Sequence, residues 1–287
     1  MSFDSNLVLI TGASRGLGSL VAEKFLADGY NIITVARNEE KLIKNAEELR
    51  EKYGLDSQIY YYGFDLGNTN EIPFLADKIK NDAGSPGIII NNAAVQGPIG
   101  PVYTNSWNEW TNCLNTCLLA PVQICREFIP EMIKNNFGRI INISGGGATG
   151  PRPNFSSYAT AKCGLVRFTE TVAREVEKYD ITMNCIAPGA MLSNLTKDII
   201  NAGENCAGKC EIESAKNLGV NNPETEKKAA ELIHFLVKNE CSGLNGKLIS
   251  AVWDRWEKLP DYIEYLKNSD IYTLRRIIPE DRNLKIE

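Results

Sequence analysis

The sequence has one histidine, His234, in 287 residues. A Ser-His-Asp triad or a histidine-built metal centre would have to rest on that residue. It sits in the amphipathic stretch AAELIHFLVK and is read as a helix-face residue. Positive charge is short as well: 31 Lys and Arg stand against 36 Asp and Glu, a net charge of −5. Nucleic acid and anionic membrane surfaces both select for a basic face, so neither is expected as a partner. No apolar run approaches the ~18 residues of a membrane span. The start, MSFDSNLVLITGAS, lacks the basic and long apolar regions of a secretory signal, which leads us to expect a cytoplasmic protein. Collagen-like and low-complexity bias are missing too.

What is present is ordinary globular composition, 43% hydrophobic and 23% charged residues. A chain this long can bury a large core without disulfides or metal. Most of the eight cysteines lie in apolar runs such as LNTCLLAPV and TMNCIAPG, and are read as buried free thiols. Cys206 and Cys210 lie in a polar, Gly-containing stretch. A zinc site built on them would lack about two of the four ligands zinc takes, so no metal is expected.

Periodicity predicts a regular alternation of strands and helices. Apolar, β-branched strands are expected at 7–12, 31–37, 58–66, 87–94, 139–145, 181–189 and 246–252. Amphipathic helical stretches separate them, one ending at Gly54 and a long, mostly helical one from Trp107 to Gly138. Parallel strands need long crossovers, so the expected fold is α/β, a doubly wound parallel sheet of about seven strands covered on both faces. Residues 190–222, with Gly203, Gly208 and Gly219, break the rhythm and are read as an insertion of short helices forming a substrate lid. Residues 253–287 are a charged, aromatic extension expected to pack on the core or on a partner subunit, with residues 1–252 forming one domain.

The first strand runs into Thr11-Gly12-Ala13-Ser14-Arg15-Gly16-Leu17-Gly18 and then a helix. Glycines at 12, 16 and 18 let backbone approach a pyrophosphate lying on a helix N-terminus, whose N–H groups and dipole favour an anion. The second strand ends Val35-Ala36-Arg37-Asn38, with arginine where an NAD-binding chain places a carboxylate for the ribose 2′-OH. Arg15 and Arg37 suit a 2′-phosphate, so NADP(H) is favoured and NAD(H) stays open. Further on, Tyr158 and Lys162 are four apart on a helix and share one face. A nearby ammonium lowers a phenol's pKa, giving an acid/base group. Ser144 ends the fifth strand at the carboxyl edge, where doubly wound sheets bind ligands.

TGASRGLG, Asp65, Asn91-Asn92-Ala93-Ala94, Asn115, Ser144, Tyr158-x3-Lys162 and Pro188-Gly189 together resemble the short-chain dehydrogenase/reductase family over about residues 1–250, with its single-domain Rossmann fold. The resemblance implies Tyr158 as proton donor or acceptor, Lys162 on the nicotinamide ribose, Ser144 on the substrate carbonyl and Asn115 holding a relay water. It places Asp65 at the adenine with Leu66 beside it, and Asn91, Asn92 and Ala93 on the ribose side. The nicotinamide amide would meet the backbone after Ile186, with Pro188, Gly189 and Ser193. A small carbonyl compound or secondary alcohol is the implied substrate, and a homodimer or homotetramer the implied assembly. Two narrower readings stay open: a 3-oxoacyl-carrier-protein reductase, and a sugar or nucleotide-sugar oxidoreductase using Trp253, Trp256, Tyr262, Tyr265 and Tyr272. A non-catalytic dinucleotide-binding regulator is disfavoured, because all four members of the tetrad are kept. Trp107 and Trp110 are read as helix-packing residues.

Overall fold

A computed structural model describes residues 2–53, 58–218 and 223–284. Gly54 and Gly219, expected at a helix end and within the insertion, lie outside the described residues. The chain runs β1 (Phe3–Thr11), α1 (Gly16–Ala27), β2 (Asn31–Ala36), α2 (Glu39–Tyr53), β3 (Ile59–Gly63), α3 (Ile72–Asp82) and β4 (Ser85–Asn91). α4 (Trp107–Leu114), a π-helical turn (Asn115–Leu119) and α5 (Ala120–Lys134) lead to β5 (Gly138–Ile143). α6 (Ser156–Glu175), β6 (Ile181–Ala187), α7 (Asn194–Ala202), α8 (Glu204–Ala207), α9 (Lys209–Asn217), α10 (Pro223–Leu236), β7 (Leu248–Ser250) and α11 (Ile263–Lys267) complete it. Every strand pairing is parallel, in the order β3-β2-β1-β4-β5-β6-β7. This is the doubly wound α/β sheet that the alternation predicts.

The strands are apolar on both faces because both are covered. Phe25, Leu26, Ile233 and Leu236 of α1 and α10 pack on one face, and Ile79, Phe128 and Met132 of α3 and α5 on the other. Strand order reverses between β1 and β4, which opens a crevice at their carboxyl ends. The strand bounds depart from expectation by a few residues: β1 begins at Phe3 rather than Leu7, and β7 keeps only three residues.

The long, mostly helical stretch from Trp107 is interrupted at 115–119, where Ala120 N–H reaches back to the Asn115 carbonyl in a π turn. Pro121 follows directly and has no N–H to give, so the ladder re-forms around it. Trp110 packs as expected, its Nε1 donating to Ser156 Oγ at 3.0 Å. Trp107 stacks on it but is 70% exposed, so its packing is one-sided.

The short helices of the insertion close on a fully buried Phe155 from the β5–α6 loop, with Ile199, Ala207, Ile212 and Ala215 around it. The tail follows the outer edge of β7: Tyr272 O accepts from Leu248 N–H at 2.8 Å, and buried Lys247 donates to Ser269 O and Ile271 O. That covers an edge which would otherwise offer unpaired backbone groups. Of the tail aromatics Trp256 is buried against Phe235, while Trp253, Tyr262 and Tyr265 are exposed. Cys163 is exposed along with Cys206 and Cys210, a correction to its reading as a buried thiol. It lies on the outward face of α6 just after Lys162. No described helix is long and apolar enough to cross a membrane.

His234 sits on the buried side of its helix. Its Nε2 meets Asp28 Oδ2 at 2.7 Å, and its ring packs edge-on against Phe25. Burial pushes its pKa below the ordinary histidine value despite Asp28. A base with a depressed folded-state pKa binds fewer protons folded than unfolded, so it destabilises the fold as pH drops below about 6.5. The melting temperature of His234→Gln is therefore expected to fall less between about pH 7 and pH 5 than that of the parent. Equal slopes in a thermal melt would remove His234 from the acid sensitivity.

Candidate active site

β1 ends at Thr11, and the chain turns through Gly12 (φ +67°) and Gly16 (φ +54°) into α1. Both glycines occupy the left-handed region that side chains resist. A Cβ on Gly12 would lie 2.9 Å from Ala93 Cα, and one on Gly18 would lie 2.6 Å from Asn92 Nδ2. Arg15 precedes α1 in extended conformation and no side chain caps the helix, so its first N–H groups stay available to an anion. Asn92 locks the turn: its Nδ2 donates to Thr11 O at 2.9 Å and to Gly12 O at 3.3 Å. Thr11 Oγ1 accepts in return from the N–H groups of Asn92 and Ala93 at 2.9 and 3.0 Å.

The residues expected around a dinucleotide divide into two groups. Arg37, exposed at the end of β2, makes no hydrogen bond or ion pair among the described residues. Ser14, whose carbonyl accepts from Asn45 Nδ2, lies in the turn with Arg15 and buried Leu17. Arg15 points to α7: with the Asn194 carboxamide turned oxygen-inward, that oxygen accepts from Arg15 Nη1 at 2.9 Å and Nη2 at 3.0 Å. Asp65 Oδ1 caps the N–H of Gly67 at 2.9 Å, and Leu66 beside it is buried. Asn91 faces inward instead, donating to Asn142 Oδ1 at 2.8 Å within the sheet, so its side chain is not on the ribose side. Pro188 and Gly189 follow β6, and a Cβ at Gly189 (φ +90°) would lie 2.6 Å from Val252 Cγ2. Ser193 caps α7 by accepting from Thr196 N–H.

The four residues of the tetrad come from three elements. Ser144 follows β5, its N–H continuing the ladder to Ile186 O at 2.8 Å. Its hydroxyl is buried without a hydrogen-bond partner. Tyr158 and Lys162 lie on the buried face of α6, and Lys162 Nζ donates to Ile143 O at 2.7 Å and stands 5.5 Å from the Tyr158 ring centroid. Gly145 makes room for the phenol: a Cβ there would be 2.5 Å from Tyr158 Oη. Asn115 opens the π turn, which packs on α6 where Leu118 meets Gly164.

The spacing predicts a phenol lowered by Lys162, but burial outweighs any such pull. Burial pushes the phenol well above its ordinary pKa, Cys117 pushes the same way and Arg152 pulls against them. Lys162 is engaged by the Ile143 carbonyl instead.

Sequence reasoning missed several neighbours of this site. Cys113 and Cys117 lie beneath Tyr158, their thiols donating to Val95 O at 3.5 and 3.3 Å. Gln96 is buried with its Nε2 unpartnered. Arg152 lies over the Phe155 ring, its Cζ 4.0 Å from the centroid. An arginine six residues before the tyrosine was visible in the sequence, but its partner on α9 was not.

The geometry matches known proteins. A family model described as short chain dehydrogenase matches residues 6–203. The 3-oxoacyl-acyl-carrier-protein reductase FabG of Chlamydia muridarum is 28% identical, over 85% of this chain and 94% of its own. The crystal structure of YwfH, described as an NADPH dependent reductase involved in bacilysin biosynthesis, superposes with a TM-score of 0.74 at 22% identity, covering 86% and 97% of the two chains. An NAD+-bound xylitol dehydrogenase gives 0.73 at 23% identity, also covering 86% and 97%. The chain belongs to the short-chain dehydrogenase family. It is an oxidoreductase built to use a nicotinamide dinucleotide, and its turn of glycines and open helix N-terminus fit that group.

Gly145→Ala tests the tyrosine's seat. The added methyl collides with Tyr158 Oη, so kcat is expected to drop about 100-fold or more while nucleotide affinity changes little, because the glycine turn is untouched. Full turnover in a steady-state assay would show that the tyrosine can be reseated at no cost.

Proposed function

We propose that this enzyme is an NADPH-dependent carbonyl reductase with Tyr158 as its proton donor. The observation that carries this reading is the buried Ser144 hydroxyl, without a hydrogen-bond partner among the described residues, at the end of β5, followed by a glycine whose Cβ would meet Tyr158 Oη. A serine and a tyrosine hydroxyl so placed can both donate to a carbonyl oxygen that gains negative charge. Bound on the glycine turn, the dinucleotide supplies the hydride for the carbonyl carbon. Tyr158 gives its proton to the oxygen, and Ser144 donates a hydrogen bond to the same atom. Lys162, braced by the Ile143 carbonyl, holds the ribose and keeps positive charge beside the phenol as it loses its proton. Asn115 holds a water through which the proton is replaced.

Burial keeps the Tyr158 phenol protonated through neutral pH, the form that donates a proton in reduction. Arg37 supports NADPH: it ends β2 uncommitted, in the position from which a guanidinium grips a 2′-phosphate. Asp65 and Leu66 would border the adenine, with Asn92, Ala93, Pro188, Gly189 and Ser193 around the ribose and nicotinamide. Helices α7–α9 act as the substrate lid, with Phe155 as their anchor. We place the enzyme in the cytoplasm as a homodimer or homotetramer acting on a small carbonyl compound. Reduction of a 3-oxoacyl thioester is the second reading, favoured by the similarity to FabG.

Tyr158→Phe removes one oxygen and leaves the ring packing. Turnover is expected to fall about 100- to 10,000-fold, with nucleotide binding retained. A variant as active as the parent towards every carbonyl it reduces would overturn Tyr158 as the donor.

A further inference from the structure

Between Ser144 and Tyr158 the chain carries Arg152, and the proton-donor reading leaves its side chain unexplained. The guanidinium lies flat on Phe155 and its Cζ is 6.0 Å from the Tyr158 ring centroid. Its Nη1 is the atom nearest to where a side chain on Gly146 would project, at 3.5 Å, so it borders the glycine run that lines the tyrosine. The other edge of the fork is engaged. Nε donates to Glu211 Oε1 and Nη2 to Glu211 Oε2, both at 2.8 Å, across from α9. The arginine side chain is 17% exposed and the glutamate 30%. A planar fork two bonds wide, largely withdrawn from water and stacked on a ring, has the geometry that recognises a carboxylate.

A pair that only fastened the insertion would not need to stand beside the reacting tyrosine. Phe155, Ile199, Ile212 and Ala215 already bind the insertion by apolar packing. Glu211 occupies the Nε–Nη2 edge and leaves Nη1, on the side of the glycine run, without a hydrogen bond among the described residues.

We propose that Arg152 is the substrate-anion site: the carbonyl compound this enzyme reduces bears a carboxylate, which binds the Nη1 edge of the guanidinium, the edge beside the glycine run and Tyr158. The proposal rests on the carbonyl-reductase reading and narrows its substrates to oxo acids. Glu211 holds the fork in position from its other edge, and its negative charge opposes that of the substrate.

The two halves of the pair make opposite predictions. Acetoacetate, levulinate and 2-oxoglutarate, each beside its methyl ester, serve as NADPH-dependent substrates and as thermal-shift ligands for the parent, Arg152→Gln and Glu211→Gln. The parent is expected to bind at least one of the acids more tightly than its ester. Arg152→Gln should raise KM for that acid about 10- to 100-fold and change KM for its ester far less. Glu211→Gln, which removes the opposing charge, should lower KM for the acid. The proposal is overturned if both variants shift KM in the same direction, if acid and ester respond alike, or if no acid binds the parent. Failure of the reductase reading shows separately, as absence of NADPH binding. Should Arg152→Gln fail to fold, Glu211→Gln decides alone, because a simple lid clamp predicts weaker binding and the proposal predicts tighter.

Discussion

The site depends on a tie across the point where strand order reverses. Thr11 and Asn92 end neighbouring parallel strands, and their side chains bond each other's backbone in both directions. Parallel strands leave their carboxyl ends as open loops, and here the tie fixes two of them against one another. It holds the Gly12 turn where backbone can meet a phosphate and aims the first N–H groups of α1 into the crevice. It also sets the start of the loop after β4, which carries Val95 to the thiols beneath Tyr158. The glycine turn and Tyr158, from opposite halves of the chain, thus share one frame.

Electrostatics then divides the work between cations. Lys162 is buried, held by the Ile143 carbonyl, and belongs to the floor of the site. Arg37 is exposed and uncommitted at the cofactor end. Arg15 and Arg152 both reach the helices of the insertion, Arg15 through the neutral Asn194 amide and Arg152 through Glu211. One contact comes from the glycine turn and the other from the β5–α6 loop, so the insertion meets both sides of the candidate site. Burial of Tyr158 is the cost of this enclosure. It raises the phenol's pKa, and a protonated phenol suits proton donation.

The fold was legible in the sequence because β-branched runs and amphipathic stretches alternate with little ambiguity. The glycine turn and the Tyr158–Lys162 spacing were legible because local backbone geometry alone places them. Three features were not. The break before Pro121 needs hydrogen-bond accounting along a helix that looks continuous by hydrophobic period. The rise in the Tyr158 pKa depends on burial, which residue spacing does not report. The Arg152–Glu211 pair joins residues 59 apart, and no local pattern in a polar insertion marks which carboxylate turns inward. The inward turn of Asn91 follows from strand alternation, since neighbouring asparagines at a strand end face opposite sides.

The central claim is that the turn after β1 and the end of β2 form an NADPH site. Titrating the purified protein with NADPH and with NADH, following nucleotide fluorescence and melting temperature, tests it directly, with Arg37→Asp in parallel. The account predicts saturable binding of both nucleotides, tighter for NADPH by about tenfold or more, and loss of that preference in Arg37→Asp. An unchanged preference in the variant would contradict the assignment of Arg37, and binding of neither nucleotide by the parent would contradict the account as a whole.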